Sequence, residues 1–364
     1  MILCANPAAQ FLSYQSEIEA AVLAVMRGNR YILGSEVTAL ESEFASFIGT
    51  TFAVGVANGT DAIELALRAL DIGPGDEVIT VSHTAVATVA AIEACGAVPV
   101  LVDVDSTYFT LNPAQLPEVL TSRTKAVLAV HLYGQAADLD AIGHFCNEHD
   151  LALIEDASQA HGARWNDRRV GSIGRIGCFS CYPTKNLGAI GDAGLITTSD
   201  PALAEKLRML REYGWRERYV SELPGLNTRL DELQAAILRI KLRHLDADNS
   251  KRRQIAEQYA KQLTGLPFGL PAVRDNVEHV YHLYVTKSVR RAELMDHLKS
   301  RDIHAGVHYP MPVHLQPAYK GRVRTAKSMV VSEGLAAEVV SLPIYPELPP
   351  ESADRVIAAL KDFH

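Results

Sequence analysis

Short apolar runs alternate with amphipathic stretches through the first two thirds of the chain. The β-type runs lie at residues 52–56, 77–81, 98–102, 126–130, 151–155, 177–181 and 194–197. Helical spacing of apolar residues separates several of them, at 61–70, 86–95 and 138–149. Because strands that alternate with helices are joined by crossovers, the pattern predicts an α/β fold with a large, mostly parallel sheet.

The flanking segments predict a further division of the chain. We predict an N-terminal arm at residues 1–30, a large α/β domain at 31–230, a connecting helix at 231–262 and a smaller C-terminal α+β domain at 263–364. Gly28 interrupts the first helical pattern, and Gly265 and Pro267 end the long one. The last segment mixes a β-type run at 282–286 with helical patterns at 291–301 and 353–363.

Composition narrows the class of protein. The chain has 364 residues, 48% of them hydrophobic, and a net charge of −8. This favours a globular protein and argues against nucleic-acid binding or an electrostatic membrane anchor. Five cysteines, and a start without a basic segment, favour a cytoplasmic protein over a secreted one. No apolar run is long enough to span a bilayer, and the 13 histidines show no ligand spacing that predicts a metal site.

Candidate functional residues lie at the ends of two predicted strands. Gly59 and Thr60 follow a β-type run and open a helix, where free N–H groups and a hydroxyl suit a phosphate; a simple turn with an N-cap is the alternative. Asp156 ends an apolar run, where α/β sheets bind ligands, and a carboxylate there suits a cationic group. A helix cap or a structural hydrogen-bond acceptor is its alternative.

Lys185 is the third candidate, in a segment rich in glycine and apolar residues. Burial there disfavours the ammonium form and lowers the pKa toward nucleophilic use. The nearby Cys178 and Cys181 match C-x-x-C, but strand alternation turns them to opposite faces, which argues against a redox or zinc pair.

Together the three candidates meet the needs of pyridoxal 5′-phosphate. Its phosphate requires N–H donors, its ring nitrogen requires a carboxylate, and its aldehyde requires an amine.

Five blocks make the chain similar to the sugar aminotransferases of the DegT/DnrJ/StrS type, a branch of the fold-type I pyridoxal-phosphate enzymes. The blocks are YILG at 31–34, NGTDA at 58–62, EDASQAHG at 155–162, YPTKNLG at 182–188 and NTRLDELQAA at 227–236. The resemblance implies a fold-type I architecture, and a homodimer whose subunits share their active sites.

The resemblance also implies a role for each matching residue. Lys185 would bind the cofactor covalently and move the proton, Asp156 would pair with the ring nitrogen, and Gln159 would contact the ring hydroxyl. The residues implied to hold phosphate are Gly59, Thr60 and Ser180, with Asn227 reaching the cofactor of the neighbouring subunit. The residues implied to contact the nucleotide sugar, also across the subunit interface, are Arg229, His308 and Tyr309. A surface ion pair is the alternative for Arg229, and a turn before Pro310 is the alternative for the other two.

The sequence departs from the family at Ala85, where many relatives carry an aromatic residue that covers one face of the cofactor. We hypothesise that His83 takes over this role; a buried or capping histidine is the alternative.

The implied activity is transfer of an amino group from an amino acid such as L-glutamate to a keto sugar linked to UDP or dTDP. The segments at 31–34 and 211–215 resemble the 3-amino branch of the family, which implies amination at C3, with the 4-keto reaction as an alternative. Lys185 argues against the family's dehydratase branch, in which histidine replaces it. A regulatory protein that binds the cofactor without turnover is the second alternative. A dinucleotide-dependent oxidoreductase is disfavoured because Val78 stands where the glycine fingerprint needs its third glycine.

Overall fold

The computed structural model describes residues 1–363, which form a large sheet flanked by helices and a smaller C-terminal layer. The strands are β1 (Phe52–Val56), β2 (Glu77–Val81), β3 (Val98–Val102), β4 (Thr124–Val130), β5 (Ala152–Asp156), β6 (Arg164–Trp165), β7 (Arg168–Arg169), β8 (Ile176–Ser180), β9 (Gly194–Thr198), β10 (Trp215–Glu217), β11 (Val220–Ser221), β12 (Val277–Glu278), β13 (Tyr284–Lys287), β14 (Arg324–Thr325) and β15 (Val339–Leu342). The helices are α1 (Pro7–Ser13), α2 (Gln15–Arg27), α3 (Ser35–Ile48), α4 (Gly59–Ala69), α5 (Val86–Ala94), α6 (Leu116–Val119), α7 (Leu139–Glu148), α8 (Pro201–Leu210), α9 (Glu232–Leu263), α10 (Arg291–Lys299), α11 (Val330–Glu338) and α12 (Pro350–Lys361).

The large sheet has eight strands in the order β1-β9-β8-β5-β4-β2-β3-β14. Only β9 runs antiparallel to its neighbours, and all the other pairs are parallel. The predicted, mostly parallel sheet is confirmed. Val130, Asp156 and Cys178 are register partners on β4, β5 and β8, so the carboxyl ends of these strands meet at one edge of the sheet.

Two buried apolar clusters cover the two faces of the sheet. Helices α4 and α8 contribute to one cluster, and α3, α7 and the first half of α9 contribute to the other. Cys178 lies in the first cluster and Cys181 in the second. The two thiols therefore face opposite sides of the sheet, as strand alternation predicted.

A third apolar cluster joins the end of α9 to α10, α12, β13 and β15. The first residues of the chain pack on this layer, where the Ile2 N–H donates to the Asp302 carbonyl at 2.7 Å. Within the segment assigned to the small domain, β14 pairs with β3 at the edge of the large sheet. The domain boundaries stay a prediction. Across residues 1–363, no helix combines the length and the apolar character needed to cross a membrane.

Candidate active site

A cavity of about 490 Å³ opens at the carboxyl ends of the central strands. Six of the residues singled out in the sequence line it: Gly59, Thr60, Asp156, Gln159, Ser180 and Lys185. Its wall also includes residues that the sequence did not single out as functional: Asn58, Asp61, Ile63, Thr84, Ala87, Thr88, Val130, Ser158, Tyr182 and Asp192. Ala85 completes the lining.

One end of the cavity is the N-terminus of α4. The Asn58 side chain caps the helix by accepting from the Asp61 N–H at 2.9 Å, which leaves earlier N–H groups of the helix free for a ligand. A Cβ on Gly59 would lie 2.5 Å from the Cβ of Ser180. The glycine therefore lets the end of β8 approach the helix, and the pair forms a cradle that suits a phosphate.

We expect Gly59→Ala to weaken binding of pyridoxal phosphate by at least about tenfold, because the added methyl group must displace β8 from the cradle. Equilibrium titration of the apoprotein, followed by absorbance, measures the affinity. Gly334→Ala is the matched control, since a Cβ there meets nothing within 4 Å. Equal affinities in the two variants would contradict the cradle.

The cavity wall also contains Asp156, which is 5% exposed. Its Oδ2 accepts from the Thr88 hydroxyl at 2.9 Å, and its Oδ1 accepts from the Ser158 N–H at 3.2 Å. The Thr84 hydroxyl lies 3.0 Å from that of Thr88 and extends the chain of hydrogen bonds. The carboxylate is thus fixed in orientation, with its charge available to a cationic ring nitrogen. The sequence signal for Thr88 is weak, because an i, i+4 threonine pair also occurs in ordinary helices.

Lys185 reaches the cavity from the loop between β8 and β9. Burial lowers the pKa of its amine from 10.5 to about 8, and the nearby negative charge of Asp156 limits the decrease. A larger share of the amine is therefore neutral near physiological pH than for an ordinary lysine, as a nucleophile toward an aldehyde requires.

We expect the apoprotein to capture pyridoxal phosphate faster as the pH rises, with the rate levelling off above about pH 8. The reacting form is the neutral amine, and its fraction grows until the pH passes the pKa of Lys185. Stopped-flow absorbance between pH 6.5 and 10 tests this. A rate that still climbs steeply at pH 10 would show an amine with the pKa of an ordinary lysine.

Gln159 links the cavity wall to two tyrosines. Its Oε1 accepts from the Tyr133 N–H at 2.8 Å, and its Nε2 donates to the Tyr309 hydroxyl at 3.0 Å. Tyr309 therefore stands directly behind the wall. The His308 carbonyl accepts from the Tyr133 hydroxyl, while the His308 Nδ1 lies 2.8 Å from the Ser341 hydroxyl.

His83 is not among the residues that line the cavity. Its ring is fully buried and packs edge-on against Tyr133, with Nε2 2.7 Å from the Tyr133 hydroxyl. Burial lowers the pKa of His83 to about 4, although the charge of Asp103 opposes this. This position runs against the predicted covering role, because the imidazole already has a buried partner while Ala85 lines the wall.

Asn227 and Arg229 also lie outside the cavity lining. Asn227 is exposed, and the guanidinium of Arg229 lies 3.3 Å from Glu212 and 6.0 Å from the centre of the Tyr213 ring. Between them, the Thr228 hydroxyl donates to Asp61 at the start of α4. The segment is thus attached beside the phosphate cradle while its flanking residues point elsewhere, and their roles stay a prediction.

A lysine amine with a lowered pKa, a strand-end carboxylate and a phosphate cradle in one cavity define a site that fits pyridoxal phosphate. The chain belongs to the DegT/DnrJ/EryC1/StrS aminotransferase family, whose model matches residues 13–361. Members of this family depend on pyridoxal phosphate, which confirms the predicted family, cofactor and enzyme class.

Named relatives agree over almost the whole chain. The chain is 47% identical to a dTDP-3-amino-3,4,6-trideoxy-alpha-D-glucose transaminase of Streptomyces venezuelae, over 98% of this chain and 94% of the relative. It is 42% identical to a UDP-N-acetyl-3-dehydro-alpha-D-glucosamine 3-aminotransferase of Acidithiobacillus ferrooxidans, over 97% of this chain and 95% of the relative. A crystal structure of S. venezuelae DesV in complex with a ketimine intermediate superposes with a TM-score of 0.97 at 46% identity, covering 100% of this chain and 98% of that one. The predicted fold class is confirmed.

Proposed function

We propose that the protein transfers an amino group from an amino acid, with L-glutamate as the expected donor, to the C3 ketone of a dTDP- or UDP-linked sugar. The observation that carries the proposal is the convergence of Lys185, Asp156 and the Gly59 cradle on one cavity. The relatives described above support the sugar and the C3 position, because both are named for 3-amino or 3-dehydro sugars.

Each wall of the cavity has a distinct task in this reaction. When bound, the cofactor supplies an electron sink that stabilises negative charge on the carbon losing a proton. The residues that would hold its phosphate are Gly59, Thr60 and Ser180. Asp156 would keep the proton on the ring nitrogen, and Gln159 would contact the ring hydroxyl. Lys185, once its amine is free, removes the proton from the donor carbon and returns it to the cofactor.

The nucleotide sugar requires space beyond the cofactor. We propose that Tyr309 and His308, which do not line the cavity itself, border the sugar beyond it, since Gln159 of the cavity wall holds the Tyr309 hydroxyl. We further propose a cytoplasmic homodimer in which Asn227 and Arg229 of each subunit serve the other subunit's site. Tyr182, which lines this cavity, is 53% exposed, and Ile190 on the same loop is 51% exposed; these large exposed side chains support a covered interface. All five cysteines are free thiols, which supports a reducing compartment.

A spectroscopic titration tests the function. Purified protein loaded with pyridoxal phosphate should show the yellow absorbance band of a lysine-bound cofactor, lose it on addition of L-glutamate and regain it with one 3-keto nucleotide sugar. Each sugar is offered as its UDP and dTDP form, with the 4-keto isomers as matched controls. Recovery with a 4-keto sugar alone would overturn the C3 assignment. A band that never bleaches would favour the regulatory alternative.

A further inference from the structure

The loop that carries Lys185 is closed on itself by short backbone hydrogen bonds. We call residues 182–191 the lysine loop. The Ala189 N–H donates to the Cys181 carbonyl at 2.8 Å and closes the loop, and inside it the Lys185 N–H donates to the Tyr182 carbonyl at 2.8 Å. A Cβ on Gly188 would lie 2.4 Å from the Pro183 carbonyl oxygen. These contacts fix the shape of the loop but do not fix its position against the rest of the protein.

Helix α9 fixes the position of the lysine loop through three side chains. Gln234 accepts from the Ile190 N–H at 2.9 Å and donates to the Ile190 carbonyl at 3.0 Å. Lys241 donates to the Gly188 carbonyl at 2.7 Å, and Asn249 accepts from the Asn186 amide at 2.7 Å. The three α9 residues are seven and eight positions apart, which is about two helical turns, so they share one face.

Lys241 is unusual among these three α9 residues. Its side chain is 2% exposed, and among the described residues no carboxylate oxygen lies within 4.0 Å of its Nζ. Burial lowers the pKa of its amine to about 8, with the more distant Glu347 and Asp248 limiting the decrease. A buried ammonium without an ion pair is costly, so the structure retains this lysine against a free-energy penalty.

The second acceptor of Lys241 lies in the N-terminal arm. Nζ donates to the Gln10 Oε1 at 3.0 Å, and Gln10 is the buried residue of helix α1. The same amine thus connects the arm, helix α9 and the lysine loop. A methionine would fill similar volume but would leave both the Gly188 and the Gln10 oxygens without this donor.

We propose that Lys241 is a positioning residue for the catalytic lysine: by bridging the Gly188 carbonyl and the Gln10 side chain, it holds the lysine loop so that Lys185 projects into the cavity. Lys241 has no contact with the cavity and therefore acts through the loop. The inference rests on the proposed role of Lys185 as the cofactor-binding amine. It adds a second lysine, 56 positions along the chain, to the groups on which that role depends.

The test follows capture of the cofactor, which reports on Lys185 before any sugar is added. Apoprotein is mixed with pyridoxal phosphate, the adduct is reduced with borohydride at timed intervals, and peptide mass mapping locates it. We expect Lys241→Met to slow formation of the Lys185 adduct by about tenfold, the effect of losing one charged hydrogen bond. In steady-state assays, kcat should fall by a similar factor, with KM for L-glutamate changing by less than about twofold.

Two variants make the result decisive. Lys261→Met makes the same change at an exposed position of α9 and should capture the cofactor at the wild-type rate. Lys241→Arg keeps a cationic donor and should stay within about threefold of wild type. If Lys241→Met lowers only the thermal unfolding temperature and captures normally, or if a folded Lys241→Arg captures as slowly as Lys241→Met, the proposal is overturned. If the wild-type protein itself forms no Lys185 adduct, the proposed function fails first, and the two failures are thereby distinguished.

Discussion

Lys185→Ala is expected to reduce transamination by more than about 10⁴-fold. The change removes the amine that binds the cofactor covalently and also the base that moves the proton, and the second role alone is worth about 10²- to 10⁴-fold. The phosphate cradle and Asp156 remain, so the variant should still bind pyridoxal phosphate without covalent attachment. Overnight conversion of a keto sugar, with the product quantified by mass spectrometry, measures the residual rate.

The matched control is Lys125→Ala, which removes an exposed lysine from β4. It should leave the rate and the yellow band unchanged. Borohydride reduction should attach the cofactor to the peptide containing Lys185 in the control and to no peptide in Lys185→Ala. A Lys185→Ala protein that retains more than about one per cent of wild-type turnover would show that another amine performs the chemistry.

The strands could be predicted from the sequence because local sequence signals mark where each strand begins and ends. The predicted runs at 52–56, 77–81 and 98–102 coincide with β1, β2 and β3, where glycines, charged residues or helix starts lie next to compact apolar runs. The order of the strands, the reversed direction of β9 and the addition of β14 to the sheet edge depend on pairings between distant segments, which no local pattern encodes.

The candidate site also combines residues that local sequence signals predict with contacts that depend on distant segments. Gly59 and Asp156 stand at element ends and Lys185 stands in the glycine-rich loop after β8, all positions with a local sequence signal, and the structure brings the three to one cavity. The contact between Thr88 and Asp156 requires the start of α5 to meet the end of β5, 68 positions away. The position of His83 shows the same limit: its partner, Tyr133, comes from a distant turn after β4, and no local pattern pairs the two residues.

Asp156→Asn separates the charge of the strand-end carboxylate from its shape. The amide can still accept from the Thr88 hydroxyl, so the side chain should keep its orientation, and Lys185 should still capture the cofactor. Without the negative charge, however, the ring nitrogen loses the group that keeps it protonated, and the electron sink weakens. We expect the glutamate half-reaction, followed as bleaching of the yellow band, to slow by about 10²- to 10³-fold, the range for removing one preorganised electrostatic contact.

Two further variants decide whether position or charge explains this loss. Thr88→Val leaves the carboxylate in place but removes the hydroxyl that orients it, and should slow the half-reaction by about tenfold. Asp192→Asn removes one negative charge from another part of the same cavity wall and should stay within about threefold of wild type. An Asp192→Asn protein as slow as Asp156→Asn would mean that the total charge of the cavity controls the rate. We expect the half-reaction to slow most in Asp156→Asn, less in Thr88→Val and least in Asp192→Asn. The reason is that the ring nitrogen pairs with one carboxylate, held in one orientation.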